Sequence, residues 1–361
     1  MAVDDSTTNS QALLTVEENP YNAETPLTAL LSDLTPSELV YIRNHFEVPK
    51  IEAFEWTLEV VGSVESPQAF SQSDIMALPV QTLRMTLECA GNGRVSMDPA
   101  PPGTPWGYGA VSVVAFTGTP LSNLLEQLGI IDEAEEVIFY GADRGETMPG
   151  RTEQYVRSLP LEVALNPDTI LAWEMNGEPL SVDHGFPLRL VVPSWYGMAS
   201  VKWLEKIAVS ADKFSGFFQD EQYVYSEEQG TPEGEPVRAI RVRSLILESK
   251  RMEDSVVEIS GIAWSGEGTI AKVELSWDGG KEWREAVLGE SNSLFDVQRW
   301  LFQWKPAGEQ ELEFISRASD SSGNVQPTID RWNRGGYGNN GLHRFRVSSS
   351  GQDNSLPEQN A

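Results

Sequence analysis

The only cysteine of the chain lies in its densest cluster of chemistry-bearing residues. Cys89 is followed by a short turn-prone run, residues 90–93, and then by Arg94. Glycines at 91 and 93 let the backbone approach a ligand closely, and a positive charge near the sulfur favours the thiolate. A thiolate is both a nucleophile and a soft metal ligand. The residues alone therefore leave three interpretations: an inert buried cysteine, a nucleophile or a metal ligand.

Histidine is scarce, and each copy stands in a polar or arginine-bearing segment. The three are His45, His184 and His343. Together with Cys89 they could form a zinc or copper site, or a cysteine–histidine hydrolase. Their separations match no spacing signature of either kind, so both alternatives rest on residue type alone.

Basic residues accompany the histidines and the cysteine in a chain that is otherwise acidic. The chain has 26 Lys and Arg against 54 Asp and Glu, and four of the basic residues are Arg43, Arg94, Arg189 and Lys202. If these side chains converge, they form a site for phosphate or an oxyanion. The alternative is that each is paired with one of the many carboxylates.

The elements that position these residues indicate two domains, the expected number for 361 residues. In the first domain, residues 26–230, helices and short strands alternate without a βαβ rhythm, which is typical of an α+β fold. Leucines at one-sided spacing predict a helix over 120–128. We also predict a helix start with Thr35 as its cap and Pro36 in its first turn, and strands over residues 54–60, 137–141 and 188–192.

A polar, Gly- and Pro-rich segment at 226–236 predicts a linker. Beyond it, alternating segments separated by Gly and Asp turns predict an immunoglobulin-like β-sandwich over 236–347, with strands at 240–246, 256–264, 270–277, 299–304 and 311–317. We expect residues 1–25 to be a flexible N-terminal arm and 348–361 a flexible tail.

The net charge of −28 argues against nucleic acid or an anionic membrane as a partner. It gives a solvated acidic surface, or a surface that steers a basic partner protein. One cysteine permits no intramolecular disulfide, and no apolar run approaches the ~20 residues of a membrane span. Without an export signal we expect a cytoplasmic protein, or a periplasmic one if such a signal has been removed.

Taken in order, several segments resemble the sulfite oxidase family of molybdopterin enzymes. They cover about 26–347, nearly the whole chain, and the ordered set is more specific than any one of them. The segments are residues 41–45 (Tyr-Ile-Arg-Asn-His), 89–94 (Cys-Ala-Gly-Asn-Gly-Arg), 106–110, 174–189, 197–204, 261–266 and 273–283.

The resemblance implies molybdenum with a single pyranopterin as the cofactor, with Cys89 as the protein's metal ligand. Arginine and lysine suit its phosphate, while carboxylate, amide and imidazole groups suit the pterin ring. The cofactor-binding residues implied by the resemblance are Tyr41, Ile42, Arg43, Asn44, His45, Asp143, His184, Arg189, Ser200, Val201 and Lys202.

The same resemblance implies oxidation of sulfite to sulfate by oxygen-atom transfer. The implied catalytic residues are Cys89, Tyr223, Arg43 and Arg94, and the implied substrate-binding residues are Arg43, Arg94, Trp106 and Arg334. Two assignments have rivals, because Tyr225 competes with Tyr223 and Arg344 competes with Arg334.

Electrons are expected to pass to an external acceptor such as a cytochrome, because a single cysteine excludes a covalent C-x-x-C-H haem. The C-terminal domain implies a homodimer. Gly93 departs from the vertebrate and plant pattern, which has an arginine there, and leaves the substrate open. The alternatives are sulfane dehydrogenase, another oxoanion molybdoenzyme of this fold, or a cofactor-free dimeric binding module.

Overall fold

The computed structural model describes residues 12–227, 234–252, 255–308 and 311–349. We call residues 12–227 the N-terminal region and residues 234–349 the C-terminal region. In the described part of the chain, no helix is long and apolar enough to span a bilayer.

Strands dominate both regions. The strands are β1 (Leu14–Glu18), β2 (Tyr21–Glu24), β3 (Thr57–Gly62), β4 (Gln68–Ser71), β5 (Gln81–Glu88), β6 (Val111–Pro120), β7 (Glu136–Met148), β8 (Arg151–Pro160), β9 (Ile170–Met175), β10 (Glu178–Pro179), β11 (Arg189–Val191), β12 (Leu204–Ser210), β13 (Val224–Tyr225), β14 (Glu235–Pro236), β15 (Arg243–Arg251), β16 (Val257–Trp264), β17 (Ile270–Ser276), β18 (Arg284–Glu285), β19 (Val287–Leu288), β20 (Gln298–Trp304), β21 (Glu311–Asp320) and β22 (Arg344–Ser348).

The helices of the described residues are short. The α-helices are α1 (Gln72–Met76), α2 (Leu121–Leu128) and α3 (Leu161–Ala164), the 3₁₀ helices are Leu27–Leu31, Ser37–Leu39, Arg94–Ser96, Val182–His184 and Gly197–Ala199, and Phe217–Gln222 is a π-helix. The leucine spacing predicted α2 correctly, and all four of its leucines are buried. The fold of the N-terminal region is mostly sheet, with helices that only connect strands.

Two five-stranded sheets form the N-terminal region. One has the order β10-β9-β6-β5, with β11 also paired to β9, and the other has the order β4-β3-β12-β7-β8. The β12–β3 pair is parallel, whereas the neighbouring β12–β7 pair is antiparallel. The consecutive strands β3–β4, β5–β6 and β7–β8 pair antiparallel, and such neighbours need no helical crossover.

The predicted helix start at Thr35 is a 3₁₀ turn, Ser37–Leu39, which begins after Pro36. Thr35 does not cap it. Its Oγ1 instead accepts a hydrogen bond of 3.0 Å from the backbone N–H of Val113 in β6, and its own N–H bonds the Val113 carbonyl. Thr35 is therefore held by the sheet, an interaction distant in sequence that the local capping pattern could not predict. The strand expected at 54–60 begins only at Thr57.

The prediction of a flexible arm over residues 1–25 is wrong for its second half. Strands β1 and β2 form an antiparallel hairpin, and Asn22, Glu24 and Thr25 are buried. The polar composition was misleading because these groups have internal partners. Asn22 Oδ1 accepts from the Asn44 N–H at 2.7 Å, and the Thr25 hydroxyl donates to the Leu39 carbonyl. Residues 1–11 lie outside the described residues.

The C-terminal region contains two four-stranded sheets, ordered β15-β16-β20-β19 and β18-β17-β21-β22. Their apolar faces share one core that includes Trp300, Trp304, Phe314 and Phe345. The five strands predicted here all exist, with ends shifted by a few residues. Most of the predicted tail, residues 350–361, lies outside the described residues, and Ser348 ends β22.

The two regions meet across a continuous core and a short strand pair. Tyr196, Val237 and Trp264 belong to one apolar cluster that draws from both regions. The pair β13–β14 closes the ends of the predicted linker at 226–236, of which residues 228–233 lie outside the described residues. The N–H of Val237 also donates to the Tyr223 carbonyl at 3.0 Å.

Candidate active site

The cysteine follows directly on the end of β5, in a turn held by Asn92. The Cys89 N–H donates to the Ala110 carbonyl at 2.9 Å, and the Cys89 carbonyl accepts from the Asn92 N–H at 3.0 Å. The Asn92 side chain donates to Glu88 Oε1 at 2.9 Å and accepts from the Ala110 N–H at 3.2 Å. Gly93, at φ +83°, adopts the left-handed conformation that this turn requires. Contacts within the protein thus fix this loop.

The expectation that Arg94 favours a thiolate is only partly correct. Arg43, the Gly91 N–H and Arg94 do lower the pKa of Cys89, but burial is the larger effect and raises the pKa of this thiol above its ordinary value. Removing a sulfur anion from water costs more than the nearby charges return. A stable thiolate here therefore requires a further positive charge at the sulfur, which a bound metal ion supplies.

Beside Cys89 lies a cavity that we call the inner cavity. It receives side chains from the edges of both five-stranded sheets, so that segments far apart in sequence face one another. Its lining residues are Tyr41, Arg43, His45, Leu87, Cys89, Asp143, Tyr155, His184, Arg189, Gly197, Met198, Ser200, Lys202, Trp203 and Tyr223.

Most of the residues predicted to bind a cofactor line this inner cavity. Three do not. Ile42 is buried and pairs through its backbone with Ala23, Val201 is part of the apolar core, and Asn44 lies behind the wall, where its amide oxygen accepts from Lys202 Nζ. The predicted segments all reach the cavity, but within a segment the backbone alternation sends some side chains away from it.

The basic residues near the cysteine have no carboxylate partner in the part of the chain that the structure describes. Within the described residues, Arg43, Arg94, Arg189 and Lys202 form no ion pair. They donate to neutral acceptors instead. Arg189 bonds the carbonyls of His184 and Ser200 at 3.0 and 3.2 Å, and Lys202 bonds the Asp183 carbonyl at 2.8 Å.

Burial dominates the pKa values of these groups, and neighbouring cations add to it. Burial and Arg189 lower the pKa of Lys202 to about 7, and burial lowers the pKa of Arg189 to about 10. Burial, Lys202 and Arg189 lower the pKa of His184 to about 3. Burial, Arg43 and Lys202 lower the pKa of His45 well below its usual range. Both imidazoles are therefore neutral at pH 7. An anion in the cavity would offset the repulsion between the cations.

Two buried polar atoms at this cavity have no hydrogen-bond partner among the described residues. They are Oδ1 of Asp143 and Nε of Arg189. Burial raises the pKa of Asp143 to about 6. A buried polar group without a partner is costly, so one acceptor and one donor in the same cavity fit a ligand that offers both an N–H group and an anionic oxygen. A pterin that carries a phosphate has this chemistry.

A second, outer cavity opens on the other side of Cys89. The two cavities share Arg43, Cys89 and Tyr223. The outer cavity is lined by Glu17, Arg43, Cys89, Gly91, Arg94, Pro102, Gly103, Thr104, Trp106, Glu221, Gln222, Tyr223, Val224, Ser226, Arg334, Gly335 and Tyr337.

All four residues predicted to bind substrate, Arg43, Arg94, Trp106 and Arg334, line the outer cavity. Arg94 is held by the carbonyls of Thr104, at 2.6 Å, and Gly335, at 2.9 Å. Trp106 is buried, and its Nε1 has no partner among the described residues. The rival Arg344 lies elsewhere, in an exposed pair with Glu313.

Tyr223 stands where the two cavities meet. Its hydroxyl is 2.7 Å from Nε2 of His45, and burial raises the pKa of this phenol well above 10, so it keeps its proton. The rival Tyr225 lines a different surface depression, where its ring lies 4.4 Å from the Arg241 guanidinium carbon. The structure thus brings Tyr223, and not Tyr225, to Cys89.

The sequence analysis did not single out Tyr337, an aromatic residue of the outer cavity. Its ring is tilted against that of Tyr223 with ring centroids 5.2 Å apart, and its hydroxyl accepts from Gln222 at 2.8 Å. The Arg94 guanidinium carbon lies 5.4 Å from the Tyr337 ring centroid. Tyr337 is three residues from the predicted Arg334, and this proximity was the only available signal.

The alternative zinc or copper site has no support in the described residues. They contain no group of three or more His, Cys, Asp and Glu side chains placed to hold a metal ion. His45 and His184 line the inner cavity, whereas His343 packs against Tyr108 with ring centroids 4.8 Å apart. A metal at Cys89 must therefore take its remaining ligands from a cofactor.

A buried cysteine between two cavities that carry basic side chains fits a molybdopterin oxidoreductase. Residues 45–218 match the model of the oxidoreductase molybdopterin binding domain. Residues 239–350 match that of the Mo-co oxidoreductase dimerisation domain.

Known proteins agree with this class. The chain is 35% identical to sulfite oxidase of Arabidopsis thaliana, with 91% of each chain covered. It is 34% identical to mitochondrial sulfite oxidase of Homo sapiens over 93% of this chain, but it spans only 66% of that relative's length. The sulfane dehydrogenase SoxCD from Paracoccus pantotrophus superposes with a TM-score of 0.81 at 27% identity, covering 98% of this chain and 94% of that one. The chain belongs to the sulfite oxidase family of molybdenum-cofactor oxidoreductases.

Proposed function

We propose that this protein oxidises sulfite to sulfate and passes the electrons to an external acceptor such as a cytochrome. The observation that carries the proposal is the outer cavity. Arg43 and Arg94 reach it without a carboxylate partner among the described residues, directly beside Cys89. Such a cavity suits a small oxyanion, because arginine N–H groups form charge-assisted hydrogen bonds with it.

The inner cavity would hold the cofactor. Cys89 would bind the molybdenum, Arg189, Lys202 and Ser200 the phosphate, and Asp143 and His184 the ring N–H and acceptor groups. When bound, the cofactor supplies two-electron oxygen-atom transfer, chemistry that protein side chains lack. The chain contributes binding and orientation, through a cysteine loop already fixed by Asn92.

Arg43, Arg94 and Arg334 would neutralise and orient the sulfite dianion at the mouth of the site. Trp106 would contribute one wall and a free indole N–H. Tyr223 donates or accepts through a hydroxyl that stays protonated, and His45 is its partner at 2.7 Å. Burial keeps the phenol protonated and the imidazole neutral, so the pair would act as a neutral hydrogen bond that orients the Tyr223 hydroxyl.

The alternative substrate is a sulfane sulfur, favoured by the likeness to SoxCD over nearly the whole chain. Sulfite and protein-bound sulfane differ in bulk, so the two substrates compete for one cavity but need different space at its entrance. Turnover of free sulfite without any carrier protein supports sulfite oxidation; turnover only with a sulfane-bearing carrier supports the alternative.

We further propose that the C-terminal region is an immunoglobulin-like sandwich that forms a homodimer. Its two four-stranded sheets with a shared core support the first part, and the match to a dimerisation domain supports the second. Light scattering after size exclusion should give twice the mass of 39.9 kDa; a monomer at micromolar concentration contradicts the dimer.

The decisive experiment is sulfite-dependent reduction of cytochrome c or ferricyanide by protein loaded in a cofactor-competent host. Cys89→Ser is the matched variant, because serine has the same shape but is a harder, more basic ligand. We expect turnover and molybdenum in the unaltered protein, and a loss of turnover by about a thousandfold or more in the variant. Protein that folds but contains no molybdenum overturns the proposal in favour of a cofactor-free binding module.

A further inference from the structure

A buried ion pair connects the cysteine loop to the C-terminal region. Glu88, the residue before the cysteine, lies 3.3 Å from the guanidinium of Arg243 at the start of β15, and both side chains are almost fully buried. The second carboxylate oxygen of Glu88 accepts from the indole N–H of Trp264 in β16 at 2.8 Å. The loop is therefore attached to two strands of the C-terminal region.

One nitrogen of Arg243 bonds both ends of the cysteine loop. Its Nη1 donates to Glu88 Oε1 at 3.3 Å and to the Asn92 carbonyl at 3.1 Å. These two acceptors precede and follow Cys89. Because the Asn92 side chain also bonds Glu88, the loop is closed by a ring of contacts in which Arg243 is the member from the C-terminal region.

The Arg243 guanidinium fits beside position 93 because glycine has no side chain there. A Cβ atom at position 93 would lie 2.6 Å from Nη2 of Arg243, closer than real side chains approach. The guanidinium also lies over the ring of Tyr108, with Cζ 5.3 Å from the centroid. Arg243 thus occupies the volume that any side chain at position 93 would need.

The Glu88–Arg243 ion pair is expected to add little to the stability of the fold. A buried ion pair often adds no more stability than apolar residues of equal volume. Here Nε and Nη2 of Arg243 have no hydrogen-bond partner among the described residues, so its burial is only partly compensated. Unlike an apolar pair, this pair forms directional hydrogen bonds. They fix the positions of Glu88 and Asn92 on either side of the cysteine.

We propose that Arg243 and Glu88 are positioning residues through which the C-terminal region fixes the Cys89 loop. Neither lines the inner or the outer cavity, so neither touches substrate or cofactor. The consequence for function rests on the proposed role of Cys89 as metal ligand, since a loosened loop would change the orientation of the sulfur. The effect on the loop itself is independent of that role.

The test uses the thiol as its own reporter, in cofactor-free full-length protein. Cys89 is the only cysteine, so its rate of reaction with an alkylating reagent measures opening of this loop. We expect Arg243→Gln to react at least about tenfold faster than the unaltered protein, because local opening becomes easier. Arg243→Lys, which keeps the charge but not the two-acceptor geometry, should fall between them.

Two further variants keep the test decisive. Glu88→Gln retains the shape and removes the charge, and should also accelerate labelling; it replaces Arg243→Gln if that variant does not fold. Arg344→Gln removes an arginine from an exposed pair in the same region and should react like the unaltered protein. If folded Arg243→Gln, or Glu88→Gln in its place, reacts within about twofold of the unaltered protein, the proposal is wrong.

In loaded protein the same variants should lower kcat and leave KM for sulfite almost unchanged, because Arg243 does not line the outer cavity. An increase in KM with unchanged kcat would contradict a positioning role. Failure of the sulfite assay alone would refute the proposed function but not the labelling result, so the two proposals fail separately.

Discussion

The inner and outer cavities share Cys89 but are built in different ways. The inner cavity is formed by the N-terminal region alone. The outer cavity needs both regions and also Glu17 of the β1–β2 hairpin. The inner cavity holds buried cations, of which Arg189 lowers the pKa of Lys202, and the outer cavity presents an exposed Arg334. In the proposed function, the inner cavity retains its ligand and the outer cavity exchanges one.

The largest expected effect is a loss of cofactor from the inner cavity. Arg189→Gln removes a buried cation of the inner cavity, and the loss of its charge-assisted hydrogen bonds should weaken cofactor binding about 10- to 100-fold. Molybdenum content after size exclusion measures this loss, and activity should fall in proportion to it. If the variant retained its molybdenum and showed an increased KM for sulfite instead, Arg189 would contact substrate and not the cofactor.

Arg94→Gln is the converse change. We expect molybdenum content to stay near that of the unaltered protein while KM for sulfite rises about 10- to 100-fold, since one cation of the outer cavity is lost. Steady-state kinetics with several sulfite concentrations measures it. The melting temperature is the control, because Arg94 also bonds the carbonyls of Thr104 and Gly335. Loss of molybdenum in this variant would mean that the outer cavity also contributes to cofactor binding.

Acid sensitivity should depend on the junction between the regions. Burial and Arg243 lower the pKa of His343 to about 3, against 6.5 when unfolded, so the unfolded chain binds more protons between these values. Stability from this group is complete above pH 6.5 and falls by about 1.4 kcal/mol per pH unit below it. Urea unfolding of cofactor-free protein at several pH values measures the slope. His343→Gln should remove only the share of the slope that belongs to this group, because the pKa values of His45 and His184 are lowered as well; an unchanged slope would exclude His343.

The smallest effect compares two arginines of the C-terminal region. Arg334→Gln should raise KM for sulfite by about threefold to tenfold, less than Arg94→Gln, because an exposed charge is screened by water. Arg344→Gln should leave KM unchanged, since it belongs to an exposed pair with Glu313. Equal effects of the two substitutions on KM would show that Arg334 does not bind sulfite.

The sequence predicted which segments reach the two cavities better than it predicted which side chains line them. Cys89, His184 and Arg189 lie in segments whose residue types indicate ligand binding, and all three line the inner cavity. Ile42 and Val201 lie in segments of the same kind but face away from the cavity, because backbone geometry decides where each side chain points.

The outer cavity depends on contacts that are distant in sequence. Tyr337 meets Tyr223 across more than one hundred residues, and the β1–β2 hairpin contributes Glu17, whose carboxylate accepts from Thr104 at 2.9 Å. The polar composition of residues 12–25 predicted a flexible arm because it does not reveal internal partners for Asn22 and Thr25. Likewise, the sequence does not distinguish Glu88 and Arg243 from the other charged residues, because their burial depends on tertiary contacts.

The strand pair β13–β14 has a mechanical consequence. Tyr223 directly precedes β13, and its carbonyl accepts from Val237, directly after β14. The phenol that contacts His45 therefore belongs to a residue hydrogen-bonded to the C-terminal region. A shift of β14 against β13 would act on the Tyr223 backbone directly, and so on the geometry of the Tyr223–His45 hydrogen bond.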